Sequence, residues 1–523
     1  TDLSDRLAAL TPAQRALLDL RSRKRNLDLS RASEAAADPT APIPPRPPAP
    51  SHPLSIDQER IFFIHCLNPE SPFYNIYTAV RWRGSIDPDL LRRALGEIAR
   101  RHEIFRTRFV LVDGRPAQIV EAPFDMELPV IDLRALPAGA AWAEADREVT
   151  GLLKTPFALD RLPLVRFHLF RVREDELLWT LAFHHLVIDW VSFHAFQREV
   201  VLLYRAFSQG LPSPLPELPV QYADYAVWQR RQLTNEALAE QLAWWREQLR
   251  EAPHVTELPL DHPRPAIQRG DGLRSPLVLS RTASDAVRGL ARREGVTLFI
   301  AFLALFKALI VRLAGQPRVV VGSPMVVREH PDLEQLLGFF LTQLVLYTDL
   351  SGDPGFLTAL RRVRTTALGA FSHKETPFGQ VVELVQPARD LSRMPLTQLT
   401  FLFLNPQHFG VPQMPGVEML PYRFDGESSK FDVTLALWDR PERFDGLLEY
   451  NSELFERTTI ERFGGYFQSL VEGALEDPWR PLSQLPLAAP AERHQMLVEW
   501  NDTLPTADAA RGACVHELFE RQA

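Results

Sequence analysis

Apolar and polar positions follow two rhythms along this chain, and one junction between them holds its most distinctive residues. Residues 177–183, Leu-Leu-Trp-Thr-Leu-Ala-Phe, form an almost unbroken apolar run of strand length, as expected of a strand buried on both faces. Beyond it Phe193, Phe196, Val200 and Leu203 recur at helical spacing, with Ser192 as the expected N-cap. Between strand and helix lies His184-His185-Leu186-Val187-Ile188-Asp189-Trp190. A strand-to-helix junction is a rigid place from which to present a reactive side chain.

The same reading predicts helices near residues 58–66 and 88–101 and strands near 74–83, 106–112, 117–120 and 164–172. Helical segments within 225–250 then lead into the irregular stretch 253–272, whose prolines and glycines suit a crossing connection. A second α/β half is expected from about Leu277, with helices at 284–293 and 296–313 and strands at 318–321, 338–346 and 396–404. No internal repeat is visible, and the paired-histidine run has no counterpart in the second half. At the start, Thr11-Pro12-Ala13-Gln14 sets an N-cap, a first-turn proline and a capping-box glutamine before a short helix at 12–24. Eight prolines between Asp38 and Pro53 then predict an extended polyproline linker. The short helix reads equally well as a docking element for another protein and as the remnant of an upstream boundary.

At 523 residues and 46% hydrophobic, the chain buries ample core but exceeds one compact domain, so two or more lobes are expected. A net charge of −8, from 58 basic and 66 acidic residues mixed along the sequence, argues against a general nucleic-acid or anionic-membrane binder. Cys66 and Cys514, far apart, give neither a disulfide framework nor a zinc pattern, and a reducing cytoplasm is the simpler setting. The longest apolar stretch, 296–313, is interrupted by Lys307 and Arg312 and reads as a buried core helix; no membrane span or signal peptide is expected.

His185 and Asp189 stand four apart across a turn. The carboxylate either orients an imidazole or holds the loop through a distant arginine, and His185 is a candidate general base. The competing reading is a satisfied structural histidine. His184, His185, Asp189 and His194 offer nitrogen and oxygen ligands, but without an HExxH, a CxxC or a second His/Cys cluster no metal is expected.

Taken in order, seven short segments resemble the motifs of the condensation domains of nonribosomal peptide synthetases. They are Ser55-Ile56-Asp57-Gln58-Glu59-Arg60, residues 101–109 (Arg-His-Glu-Ile-Phe-Arg-Thr-Arg-Phe), the histidine run, Tyr222-Ala223-Asp224-Tyr225-Ala226-Val227-Trp228, Gly338-Phe339-Phe340, His373-Lys374-Glu375-Thr376-Pro377-Phe378 and residues 389–396 (Arg-Asp-Leu-Ser-Arg-Met-Pro-Leu). Each is weak alone; seven in order are strong, and they cover about residues 54–487. The resemblance implies an α/β fold of two chloramphenicol acetyltransferase-like lobes, a V-shaped pseudo-dimer with a central tunnel. It divides the chain into an N-terminal helical segment (1–30), a proline-rich linker (31–53), an N-terminal lobe (54–260), a C-terminal lobe (261–490) and a linker (491–523) into a downstream adenylation domain.

The implied reaction forms an amide between an acyl or peptidyl thioester on an upstream donor carrier protein and an aminoacyl group on an acceptor carrier protein. It needs no intrinsic cofactor, since phosphopantetheine arrives on the carriers. His185 would remove the amine proton or mainly orient the amine, His184 would support the loop, and Asp189 would pair with an arginine, for which motif position nominates Arg393. Trp190 stands where the family usually has glycine, and Thr342 and Gln343 where asparagine and threonine are usual, so these three are candidate channel residues. Two other readings stay open: a silent condensation-like recruitment platform, and an acyltransferase acting on a free small-molecule amine or alcohol.

Overall fold

Two mixed sheets, each with its own apolar core, carry the chain. The structure is a computed structural model and describes residues 41–233, 235–385, 390–404, 413–422, 428–502 and 514–522; the helix expected at 12–24 lies outside them. In chain order the first half holds β1 (His52–Pro53), α1 (Ile56–Leu67), β2 (Asn75–Gly84), α2 (Pro88–Arg101), β3 (Thr107–Val112), β4 (Arg115–Val120), β5 (Val130–Asp132), α3 (Ala138–Lys154), β6 (Val165–Arg171), β7 (Glu176–His184), α4 (Trp190–Ser208), α5 (Tyr222–Gln232) and α6 (Asn235–Gln248). The second half holds β8 (Gly272–Val278), α7 (Arg281–Glu294), α8 (Leu298–Ala314), β9 (Arg318–Val326), β10 (Leu341–Asp349), α9 (Phe356–Ser372), α10 (Phe378–Val385), β11 (Leu399–Leu404), β12 (Val417–Pro421), β13 (Val433–Asp439), β14 (Phe444–Asn451), α11 (Arg457–Glu476), α12 (Pro490–Leu497) and α13 (Val515–Gln522).

One sheet runs β12-β2-β7-β6-β5 and the other β10-β9-β11-β13-β14-β8, with a small third sheet β1-β4-β3. All nine residues of β7 are buried, so the apolar run reads as it should. Local signals set the helices. Asp87 caps α2 by accepting from the Asp89 amide at 2.8 Å, Pro88 starts it, and Leu91, Leu95 and Ile98 form its buried stripe. α8 begins on Thr297, ends on Gly315 at φ 65°, and is buried nearly all round. Lys307 lies inside that core and donates to the Leu346 carbonyl at 2.7 Å and the Thr348 hydroxyl at 2.6 Å; burial holds its amine well below the usual lysine range.

The halves do not separate at residue 260. β12 comes from the second half yet pairs antiparallel with β2, Val417 opposite Gly84. Conversely Trp245, Leu249 and Leu258 pack into the second core, so α6 and the segment after it belong there. A single boundary at residue 260 misses both exchanges. Nor is the proline-rich stretch from residue 41 onward a free spacer. Its extended backbone has no internal hydrogen bonds, and it makes them elsewhere: Ile43 is buried and its amide donates to Asp332 at 2.9 Å, while Arg46 bridges Glu103 (2.7 Å) and Asp224 (3.0 Å).

Candidate active site

The turn 185–189 leaves β7 and enters α4, and its geometry is fixed by residues from both halves. The N-cap of α4 is Asp189, not Ser192: its carboxylate accepts from the Ser192 amide at 2.6 Å, and the helix begins one residue after it, at Trp190. Its other oxygen accepts from the Phe340 amide at 2.9 Å, and its own amide donates to the Gly338 carbonyl at 3.0 Å. The Ser192 hydroxyl donates to the same carbonyl at 2.7 Å. These contacts explain why the strand expected at 338–346 starts only at Leu341: the backbone of 338–340 is hydrogen-bonded to the histidine turn. Gly338 has a second reason to be glycine, since a Cβ there would lie 2.0 Å from the Tyr222 ring.

The guanidinium beside Asp189 is Arg328, two residues past the end of β9, with Nη2 3.5 Å from both carboxylate oxygens. It also bonds the Ser192 hydroxyl and the Leu336 carbonyl (2.6 Å), and lies over the Phe340 ring at 4.0 Å. Arg393 is therefore not the partner. It is held in its own loop, 2.8 Å from Asp390 and 3.4 Å from Glu257. Asp189 is fully buried and the Arg328 side chain 7% exposed, so the pair is worth keeping intact: breaking such a pair costs about 3–5 kcal/mol.

His185 points the other way. Its amide donates to the Tyr74 carbonyl at 2.8 Å, and its Nδ1 lies 2.8 Å from the Ile188 carbonyl. A carbonyl only accepts, so Nδ1 carries the proton and Nε2 is left as an acceptor. The ring meets Phe339 edge-on at 5.0 Å. Burial first, and the Lys430 ammonium second, hold His185 well below the usual histidine range, so it is neutral at pH 7. The side chain nonetheless keeps partial exposure, unlike its fully enclosed neighbour.

His184 is buried support. Its Nδ1 accepts from the Leu186 amide at 3.2 Å and its ring meets His65 edge-on at 5.2 Å. The residue is neutral for the same reason of burial. Gln58, wholly buried on α1, donates to the Leu186 carbonyl at 2.8 Å and ties the turn from below. His194 bonds the Trp190 carbonyl of its own helix, and among the described residues no group of three or more His, Cys, Asp or Glu is placed to hold a metal ion.

Of the three channel candidates, Trp190 is 43% exposed and stacks on Phe193 (6.0 Å) with its edge to His194 (4.5 Å). Its backbone is the first turn of a helix, so a large residue is accommodated without positive φ. Thr342 and Gln343 lie on β10; the Gln343 amide rests against Gly322, where a Cβ would approach it to 2.2 Å. Asp57 on α1 is buried with Thr342 beside it, and burial pushes its carboxyl up to about 6. Arg328, Gln58, Tyr74 and Lys430 escape a reading of the sequence. Each meets the turn from a distant segment, so its neighbours in sequence do not mark its place there.

A family model described as "Condensation domain" matches residues 50–497. A linear gramicidin synthase polypeptide of Brevibacillus parabrevis is 40% identical over 473 residues, which are 90% of this chain and 9% of that protein. Phosphinothricin tripeptide synthetase PhsC of Streptomyces viridochromogenes is 37% identical over 515 residues, 98% of this chain and 46% of that protein. The chain thus spans less than half the length of these relatives. Among solved structures, the X-domain of teicoplanin biosynthesis in complex with OxyB superposes with TM-score 0.79 at 25% identity, covering 88% of this chain and 100% of that one. The first condensation domain of the calcium-dependent antibiotic synthetase superposes at 0.70 over 84% of this chain and 99% of that one, a likeness of fold at 19% identity. The two α/β halves are the two chloramphenicol acetyltransferase-like lobes of this fold, and the chain belongs to the condensation-domain family of nonribosomal peptide synthetases.

Proposed function

We propose that the chain forms an amide bond between a donor acyl or peptidyl thioester and an acceptor aminoacyl group, each tethered to a carrier protein by phosphopantetheine. The observation that carries this reading is the His185 imidazole, its Nδ1 proton bonded to the Ile188 carbonyl and its free Nε2 kept neutral by burial and nearby positive charge. The acceptor nitrogen attacks the thioester carbonyl carbon, and the carbonyl π pair moves to oxygen. Collapse re-forms C=O, breaks C–S and releases the donor pantetheine as a thiol, its proton coming from the former amine by way of His185 Nε2. A thioester is already activated and a neutral amine is a good nucleophile, so alignment of the two arms in a tunnel between the lobes supplies much of the acceleration, and His185 adds proton transfer or alignment of the amine. His184 supports the turn and Asp189 with Arg328 fixes it. On this reading the protein is an acyltransferase without an intrinsic cofactor, working in the cytoplasm beside an upstream carrier, an acceptor carrier and an adenylation domain.

The testing experiment mixes the chain with an aminoacyl-loaded acceptor carrier and donor carriers bearing peptidyl, polyketidyl or fatty-acyl thioesters, and weighs the acceptor by intact-protein mass spectrometry. A gain of one donor acyl group, weakened by His185→Ala, is expected and also names the donor class. The likeness to an X-domain solved in complex with OxyB favours a second reading, a platform that binds another protein. Absence of transfer from every donor, with both carriers bound, would establish that alternative; transfer to a free small amine but not to the carrier would point to a small-molecule acyltransferase.

A further inference from the structure

Opposite Asp189, the surroundings of His185 are built from a contact between the two lobes. The loop 428–432 of the second lobe clamps the segment before β8: the Ser429 amide donates to the Gly270 carbonyl at 3.0 Å and Asp271 bridges Ser428. Gly270, at φ 87°, receives the Phe73 ring of the first lobe so closely that a Cβ would lie 2.5 Å from it. Beside Phe73, the Tyr74 ring lies under the Lys430 ammonium, 5.2 Å from its centroid, and 6.4 Å from the His185 ring. The Tyr74 hydroxyl is buried and stays protonated because burial raises it; Arg60 stands beside it and can only donate to its oxygen, so the hydroxyl proton has no acceptor among the described residues. No described residue forms an ion pair or hydrogen bond with the Lys430 ammonium. His185 keeps partial exposure between the buried His184 and Leu186, and Lys430 does so beside the buried Tyr74 and Ser429, as groups lining a narrow passage would.

We propose that Lys430 is a catalytic residue: its ammonium, carried over Tyr74 from the opposite lobe, together with the Tyr74 hydroxyl receives the oxyanion that forms when the thioester carbonyl is attacked. The inference rests on the condensation reading. That chemistry needs a donor for the oxyanion, and neutral His185, with Nε2 an acceptor and Nδ1 spent on Ile188, is not one. Lys430 and Tyr74 hold donors that the described protein leaves unused, and a charged donor is the stronger kind. Burial brings the Lys430 amine down to about 8, so it is still mainly protonated at pH 7. The charged groups around the pair are Arg60 on α1, which acts on both His185 and Lys430, and Glu449 on β14, which acts on Lys430. Because the oxyanion exists only after attack, its stabilisation raises kcat rather than lowering KM.

The test is single-turnover transfer between carriers, run for the wild type, Lys430→Met, Lys430→Arg, Tyr74→Phe and His185→Ala, each with a thermal melt. Lys430→Met is expected to lower the saturated rate by about 10- to 100-fold with KM unchanged, Lys430→Arg to recover most of it, and Tyr74→Phe to lose about 10-fold. Removing the positive charge should also move the acid limb of the pH–rate profile upward, toward the ordinary histidine value. A folded Lys430→Met transferring within about twofold of wild type, with its acid limb unmoved, would overturn the inference and leave the condensation reading standing. If Lys430→Met fails to fold, Lys430→Arg and Tyr74→Phe decide: wild-type rates in Tyr74→Phe and a rate in Lys430→Arg as low as in His185→Ala count against it. A wild type inert with every donor removes the condensation reading and this inference together.

Discussion

The two sides of the histidine turn differ in how fully their polar groups are partnered. On the Asp189 side, the carboxylate, the Ser192 hydroxyl and the 338–340 backbone are bonded to one another, with Arg328 across them. On the side that faces α1 and β10 the polar groups are more loosely partnered: Asp57 has Thr342 beside it, Tyr74 has Arg60, and His184 Nε2 is buried without a hydrogen bond among the described residues. Buried polar atoms are normally satisfied, so an exception is a place where water or a ligand can complete the structure. The first side fixes the geometry of the turn, and the second is where the condensation proposal puts the substrate.

Removing Asp189 should break that contrast most severely. Asp189→Ala takes away a buried carboxylate that caps α4, holds the Phe340 amide and faces Arg328. It is expected to cost about 3–5 kcal/mol in urea unfolding and to abolish transfer, since the turn carrying His185 loses its anchor. Arg328→Met should follow it, whereas Arg393→Ala, whose ion pairs among the described residues are with Asp390 and Glu257, both partly exposed, should cost less than about 1 kcal/mol. Equal losses for Arg328 and Arg393 would remove the distinction.

His185→Ala tests the opposite side. Its ring contributes one backbone hydrogen bond and an edge contact with Phe339, so a melt should move little. Transfer should fall by about 100-fold, the low end of general-base effects, because a tethered amine and an activated thioester react slowly without it. A loss of stability as large as that of Asp189→Ala, with transfer retained, would make His185 a structural residue.

The sequence makes the elements and the turn legible because their signals are local. The apolar run of β7, the stripe of Leu91, Leu95 and Ile98, and the Thr297 and Gly315 ends of α8 all read directly, since each depends on neighbours within a few positions. Long-range pairings do not. Nothing local tells Arg328 from Arg393 as a partner, and only the fold brings one of them to Asp189, 139 residues away. Ser192 and Asp189 are both good caps by type. The choice falls to Asp189 because its second oxygen has a tertiary partner in the Phe340 amide, which leaves the Ser192 hydroxyl free for Gly338. Likewise β12 leaves the second half for the first sheet, and Ile43 buries itself among prolines, through contacts that no periodicity encodes.

Acid should expose the unsatisfied side. Burial holds His184 well below its ordinary value of 6.5, so the unfolded chain takes up a proton that the folded protein refuses. Stability is therefore full above about pH 6.5 and falls as pH drops below it, by at most about 1.4 kcal/mol per pH unit for this group, down to its folded value. His184→Gln, whose side chain does not titrate, should flatten that slope between pH 6.5 and 5 in urea titrations. An unchanged slope would mean that other buried histidines, such as His102 and His65, carry the acid sensitivity.

Trp190 gives the smallest and most discriminating change, because it sits at the border of the two sides. The indole is largely outside, over Phe193 and His194, and the backbone at 190 is already helical. Glycine there gives up the stacking and adds backbone entropy in the first helical turn, for a cost of about 0.5–1 kcal/mol. Nothing in that packing reaches His185, whose ring meets Tyr74 and Phe339 instead. Trp190→Gly should therefore melt slightly lower while keeping the wild-type order of preference across donor thioesters of increasing acyl length. A shifted preference in a protein of nearly unchanged stability would place the indole in the donor's path. The boundary between the anchoring side and the substrate side would then run through residue 190 rather than after Asp189.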